Sequence, residues 1–161
     1  MNESLPASEY IQRIVEMYSD MVVRIAYQHT GNQSDAEDIA QETFIKLMCS
    51  PESTDEEHLK AWLIRVTINL CKDFKRSFWQ RRIDPLTDEQ QSSVSVQESV
   101  LEEIMSLPKH YRNVIYLYYY EGYTVPEISR ILMEKENTVS SWLTRARRKL
   151  KNLMLEGGLL T

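Results

Sequence analysis

The sequence predicts an all-α protein made of two small helical domains joined by a flexible linker. Three observations carry that expectation. Apolar residues recur at spacings of three and four with almost no strand-like alternation. Glycine is scarce, at four in 161 residues. The helical periodicity also lapses over residues 83–97 (IDPLTDEQQSSVSVQ), which are rich in Ser, Gln and Asp, and then resumes. These features divide the chain into a domain at 1–82, a linker at 83–97 and a second domain at 98–161. A hydrophobic share of 42% is enough to build cores and argues against global disorder. No apolar run approaches the roughly 20 residues a bilayer requires, and the acidic N-terminal segment lacks a signal peptide's pattern. A cytoplasmic protein without membrane insertion is expected. Cys49 and Cys71 stand alone, with no metal-ligand spacing around them, so both are expected as reduced, structural thiols.

The elements follow in order. From Ser8 to Arg82 the pattern is helical, broken at Gly31-Asn32-Gln33 and again at Pro51–Glu57. Ser34 followed by Glu37 has the form of a capping box, opening a helix through Ile39, Phe44, Leu47 and Met48. The next helix spans about His58 to Arg82. Its apolar stripe is Leu59, Leu63, Val66, Leu70 and Phe74, and Lys60, Arg65, Lys72, Lys75 and Arg76 point largely away from it. Trp62 and Asn69 fall on the boundary. Beyond the linker, Glu98–Leu107 and Pro108–Glu121 form two helices, with Pro108 near the first helical position and Gly122 just past an end. Thr124 and Glu127 form a second capping box, and Pro126 is tolerated in its first turn.

Thr124 to about Met154 is a helix-turn-helix. Val125, Ile128, Ile131 and Leu132 supply the first stripe, a four-residue turn lies near Met133–Glu136, and a second helix begins at Asn137 or Thr138. On that helix Val139, Leu143, Ala146, Leu150 and Leu153 face the core. Ser141, Thr144, Arg145 and Arg148 lie opposite, with Arg147 and Lys151 on the flank. Small hydroxyls and arginines on one exposed helix face suit major-groove contact. The hydroxyls let the helix approach, and arginine pairs with guanine edges or phosphates.

A net charge of −5 is unusual for a nucleic-acid binder until it is divided along the chain. Residues 58–82 hold seven Lys/Arg against one Asp, and residues 137–155 hold five against no acid. Residues 35–57 hold one Lys against eight acids. Two basic helices are thus embedded in an acidic chain, and phosphate attraction acts locally, over about 8–10 Å at moderate salt. Around residues 74–82 basic side chains alternate with Phe78 and Trp79, a composition suited to melted nucleic acid, where bases stack on rings. The acids of Asp35, Glu37 and Asp38 sit in a first helical turn, where they complement the helix dipole. With no histidine at ligand spacing and no Gly-rich phosphate loop, the pattern points to a protein-docking face. It calls for no catalysis, no metal and no cofactor.

With these pieces in order, the chain resembles the extracytoplasmic-function (ECF, group 4) sigma factors of bacterial RNA polymerase. DAEDIAQETFIKL (35–47) is similar to the family's region 2.2, HLKAWLIRVTINLCKDFKR (58–76) to regions 2.3 and 2.4, and the segments LPKHYRNVIYLYYYEGYTVPEISRIL and TVSSWLTRARRKL within 107–150 to region 4. The resemblance implies a region 2 helical bundle and a region 4 helix-turn-helix. Core RNA polymerase would be the partner, through its β′ clamp helices and β flap, together with promoter DNA and an anti-sigma factor. Asp35, Asp38, Gln41, Glu42 and Phe44 would dock on the clamp helices. Lys60, Trp62, Arg65, Asn69, Lys72 and Arg76 would face the −10 element, and the loop Cys49–Glu57 would capture a flipped base. Thr138, Ser140, Ser141, Thr144, Arg145, Arg147 and Arg148 would approach the −35 element. Met133 and Asn137 stand where the family commonly has Gly, and Ser140 and Trp142 where it often has basic residues.

Two other readings compete. A stand-alone helix-turn-helix regulator would pair this motif with an effector or dimerisation domain and read two-fold sites. The sequence offers no obvious dimerisation helix and no ligand-pocket signature. A nucleic-acid enzyme such as a resolvase would need a nucleophile or metal cluster in the N-terminal half, and none is visible there.

Overall fold

The computed structural model describes residues 7–50, 55–81 and 103–156, with side chains over 9–50, 55–74 and 103–156. The described residues are helices, turns and short connections. The chain divides into two compact units, Met1–Asp88 and Glu89–Thr161. The expected linker at 83–97, and the first half of the expected helix Glu98–Leu107, lie outside the described residues.

Unit 1 packs three helices against one another: α1 (Ala7–Thr30), α2 (Gln33–Met48) and α3 (Glu56–Arg81). α1 ends at Gly31, whose φ of 67° is the left-handed conformation that glycine adopts without a Cβ penalty, and its N–H bonds the carbonyl of Tyr27 at 2.8 Å. α2 starts two residues earlier than the sequence pattern implies. Its N-cap is Asn32, in extended geometry, with Oδ1 accepting from the Asp35 N–H at 3.0 Å. The Ser34/Glu37 capping box therefore does not form. An Asn after the glycine break already satisfies the first free N–H groups, which places Ser34 inside the helix.

α3 likewise begins before His58. Asp55 accepts from the Glu57 N–H at 3.0 Å and contacts His58 Nδ1 at 2.7 Å. The Glu57 backbone bond first, and then the contacts with His58, hold the Asp55 carboxyl below its ordinary value. The core is aliphatic, with Val22, Ile25, Ala36, Leu63, Ile64 and Cys71 sealed from solvent. The buried stripe of α3 is wider than expected, since Ile64, Thr67, Ile68 and Cys71 join Leu59, Leu63 and Leu70 because both α1 and α2 cover it. Thr43 and Thr67 meet inside that core. Each hydroxyl bonds the carbonyl four residues back on its own helix, Ile39 at 2.9 Å and Leu63 at 2.6 Å, and the two oxygens lie 3.4 Å apart.

In unit 2, Pro108 is the N-cap of α4 (Lys109–Ile115), one position before the expected N1, and its carbonyl accepts from both Tyr111 and Arg112. The helix expected to continue to Glu121 changes character at Tyr116. Tyr116–Tyr120 form a π segment, with the Glu121 N–H bonding the Tyr116 carbonyl five residues back at 3.1 Å. Gly122, at φ 77°, closes it.

α5 (Val125–Leu132) opens on the Thr124/Glu127 capping box with Pro126 in its first turn, as the sequence indicates. Its C-cap is Met133, in the left-handed conformation at φ 58°, ψ 45° and 73% exposed. The turn to α6 (Glu136–Glu156) is three residues rather than four. The Lys135 carbonyl accepts from the Val139 N–H at 3.0 Å, so Asn137 lies within the first turn and does not cap it. Val139, Leu143 and Ala146 are buried against Leu107, Val114, Leu117, Ile128 and Ile131 in a small core. Arg112 is drawn into this core as well, with Nη1 3.8 Å from Met105 Sδ, and burial pushes its guanidinium below its ordinary value.

Candidate functional site

Three exposed helix faces gather most of the residues singled out from the sequence. On α2, Asp38, Gln41 and Glu42 are exposed and Asp35 is half-buried in the first turn. Phe44 is placed differently, because at 7% exposure it belongs to the core of unit 1. Its phase with Ile39, Ala40, Thr43 and Leu47 puts it on the α1/α3 side, so a docking role for its ring is corrected to a packing role. The apolar residues on the solvent face are instead Ile45, 56% exposed, and Met48, 62% exposed. They continue the Asp38–Gln41–Glu42 line at i, i+3, i+4, i+7 and i+10. The sequence pattern places Met48 in the apolar series with Ile39, Phe44 and Leu47 and does not single out Ile45; the available signal was a large apolar side chain out of phase with that stripe.

On α3, Arg65, Asn69 and Lys72 are exposed, and half-buried Trp62 lies in line with them. At about 100° per residue the four fall within a band roughly 80° wide. Lys60 is separate. It is half-buried and sits roughly 160° around the helix from that band, so it does not share the face. Arg76 shares the band by position, but its side chain, like those of Lys75, Phe78, Trp79 and Arg81, lies outside the described residues. So do residues 51–54 of the loop and Arg82.

On α6, Ser140, Thr144, Arg145, Arg147 and Arg148 are exposed, while Thr138 and Ser141 are half-buried. Arg145 and Arg148 join Lys149, Asn152 and Tyr111 around an open cleft of about 230 Å³. Both flanks of α6 are tied to preceding elements by aromatic contacts. Trp142 stacks on His110 of α4, with ring centroids 4.5 Å apart and planes 10° from parallel. On the other flank the Arg147 guanidinium lies 5.2 Å from the Tyr118 ring centroid and 5.5 Å from that of Tyr119, and its Nε–H donates to the Tyr119 hydroxyl. The sequence pattern did not single out His110, Tyr118 or Tyr119 as partners of α6, because neighbours across a helix pair leave no local spacing signal. No described helix is long and apolar enough to cross a membrane.

Comparison with known proteins identifies the family. Residues 14–82 match the family Sigma-70 region 2, and residues 97–150 match Sigma-70, region 4. The chain is 30% identical to the ECF RNA polymerase sigma factor SigW of Bacillus subtilis, over 86% of this chain and 85% of that protein. It is also 30% identical to SigM of the same organism, over 91% and 96%. Identity to SigE of Mycolicibacterium smegmatis is 32% over 88% of this chain, which spans 60% of that longer relative. The fold is shared with the sigma factor RpoE of Bartonella quintana, solved with the anti-sigma factor NepR (TM-score 0.69, 21% identity, 89% of this chain and 95% of that one). It is shared too with CnrH, solved with the cytosolic domain of CnrY (TM-score 0.70, 22% identity, 91% and 88%). The chain therefore belongs to the ECF sigma factors of the sigma-70 family, which are non-enzymatic transcription initiation factors, and it is not a stand-alone helix-turn-helix regulator.

Proposed function

We propose that the chain binds core RNA polymerase and directs it to promoters by holding DNA at two places, each with its own helix. The observation that carries this reading is a pair of helix stripes on separate units: exposed Arg65, Asn69 and Lys72 with half-buried Trp62 on α3, and exposed Thr144, Arg145 and Arg148 with half-buried Ser141 on α6. An indole, an amide and two cations suit a −10 strand whose bases are unstacked, because rings stack on bases while cations follow the backbone. Hydroxyls and arginines suit the −35 duplex. Arg76 extends the first stripe by position, and the loop Cys49–Glu57 captures a base turned out of the helix. Thr138, Ser140 and Arg147 border the second stripe and meet the duplex backbone.

Asp38, Gln41, Glu42, Ile45 and Met48 form the docking face for the polymerase clamp helices, an acidic rim around an exposed apolar pair. Asp35 supports it from the first turn. Residues 83–97 serve as the tether between domains at 1–82 and 98–161, and the second domain also meets the polymerase β flap. The factor acts in the cytoplasm and is held inactive by an anti-sigma factor that covers these faces. The complex of RpoE with the anti-sigma factor NepR supports the regulatory part of this reading.

The test is in vitro transcription with core polymerase on genomic promoter fragments, with and without the chain. Start sites that appear only when the chain is added are expected. A footprint from the free chain, with no polymerase association and no new start sites, overturns the reading.

A further inference from the structure

We infer that Tyr119 is a positioning residue for promoter binding: it holds the Arg147 side chain in the conformation that meets a DNA phosphate at the edge of the −35 site. This rests on the reading that α6 lies on duplex DNA.

Arg147 lies on the flank of α6, roughly 100° around the helix from Arg148, at the border between the buried face and the solvent face. A residue there lies beside the groove and cannot reach the base edges at its floor, so its natural partner on a duplex is the sugar-phosphate backbone. A free arginine in that position would have to give up rotamer freedom on binding, which for a long side chain weakens affinity about two- to tenfold. Here that ordering is already done. Nε is committed to the Tyr119 hydroxyl, and the guanidinium lies against two rings, at 5.2 Å and 5.5 Å from their centroids. The rings are themselves fixed edge to face, with centroids 4.9 Å apart and planes at 71°. Stacking and one Nε bond leave the four N–H bonds of the terminal nitrogens for an anion. Among the described residues no carboxylate pairs with Arg147.

Backbone geometry supplies the platform. Tyr118 and Tyr119 are consecutive, yet both rings reach one cation. They sit in the π segment Tyr116–Tyr120, where the widened turn alters the angular spacing of neighbouring side chains. Tyr119 is 58% exposed, so it contributes little to the core, and its conformation is accounted for by the arginine it holds.

The experiment measures binding of the reconstituted holoenzyme to a promoter fragment recovered by the transcription assay, across a range of salt concentrations. Arg147→Ala should weaken binding about tenfold and flatten the slope of log affinity against log salt by about 0.9, the value for one lost phosphate contact. Tyr119→Phe keeps the ring and removes the hydroxyl. It should weaken binding about two- to tenfold with the slope unchanged, because the phosphate contact survives but must be ordered on binding. In an Arg147→Ala background, Tyr119→Phe should have no further effect. An unchanged salt slope in Arg147→Ala, or an equal loss from Tyr119→Phe in both backgrounds, overturns the proposal. Arg145→Ala separates the two levels. If it weakens binding while the Arg147 and Tyr119 variants do not, the positioning role alone fails. If none of the three changes affinity, the placement of α6 on DNA fails with it.

Discussion

Unit 1 and unit 2 each present a basic helix to solvent, but they hold it by different means. α3 is 26 residues long and lies against two other long helices, so its orientation is set by an extended aliphatic core. α6 is backed by α4 and α5, of seven and eight residues, and by a π segment. What the short scaffold lacks in buried area is made up by local devices: a capping box, a left-handed turn residue and an aromatic contact on each flank of the helix. The contrast indicates that orientation is set by bulk packing in the first unit and by individual side chains in the second. Single substitutions should therefore act differently in the two.

The largest effect is expected from cavities. Leu63→Ala in α3 and Leu143→Ala in α6 should each cost about 2–5 kcal/mol. Because the core around Leu143 is the smaller, Leu143→Ala should unfold unit 2 near room temperature while the helical signal of unit 1 persists in thermal melts followed by circular dichroism. Loss of both signals in one transition would break the comparison.

Next in size is the docking face. Charge reversal at Asp38 and Glu42 should lower core polymerase affinity on the order of a hundredfold, and helicity should stay intact since both side chains are exposed. Ile45→Asp should do the same, and Phe44→Leu should not. The opposite ranking would return Phe44 to the interface.

Met133→Gly should stabilise unit 2 by about 1 kcal/mol, because a left-handed conformation costs a side-chain-bearing residue roughly 1–2 kcal/mol and glycine little. A lower melting temperature would show that the exposed Met133 side chain makes a contact worth more than the strain.

The smallest effect concerns pH. The Glu127 carboxyl is held below its ordinary value of 4.5, first by the Thr124 backbone N–H and then by its hydroxyl. A depressed folded pKa stabilises above the unfolded value, and the contribution disappears as pH falls through the folded one. Glu127→Gln should therefore remove a shallow loss of stability below about pH 4.5. Acid melts of the two proteins that superimpose would remove the cap from the account.

Periodicity was enough to find the long amphipathic helices and the helix-turn-helix, because a core stripe repeats along the chain. Features made by single backbone groups were harder to see. Ser34/Glu37 had the form of a cap, yet Asn32 was nearer to the glycine break and took the role. Met133 in a left-handed turn carries no glycine to announce it. The π segment depends on one shifted hydrogen bond within an apparently continuous helix. Of the faces, the charged parts were legible because like residues recur at helical spacing. Lys60 shares the charge of the band residues but not their side of α3, and the docking role of Phe44 rests on the family resemblance alone, since its spacing with Ile39 and Leu47 already belongs to the apolar stripe. The exposure of Ile45 and Met48 follows only from which side of α2 is buried.

The buried Thr43–Thr67 contact has a mechanical consequence. Each hydroxyl is already anchored to its own helix, so the 3.4 Å approach between them is met at one sliding position of α2 against α3. If polymerase grips α2, the pose of α3 follows as that of a rigid lever. From Thr67 to Arg81 the helix runs 14 residues, about 21 Å, so each degree of tilt about the contact moves that end by about 0.4 Å. Two hydroxyls at the fulcrum thus set the aim of side chains that lie several turns away.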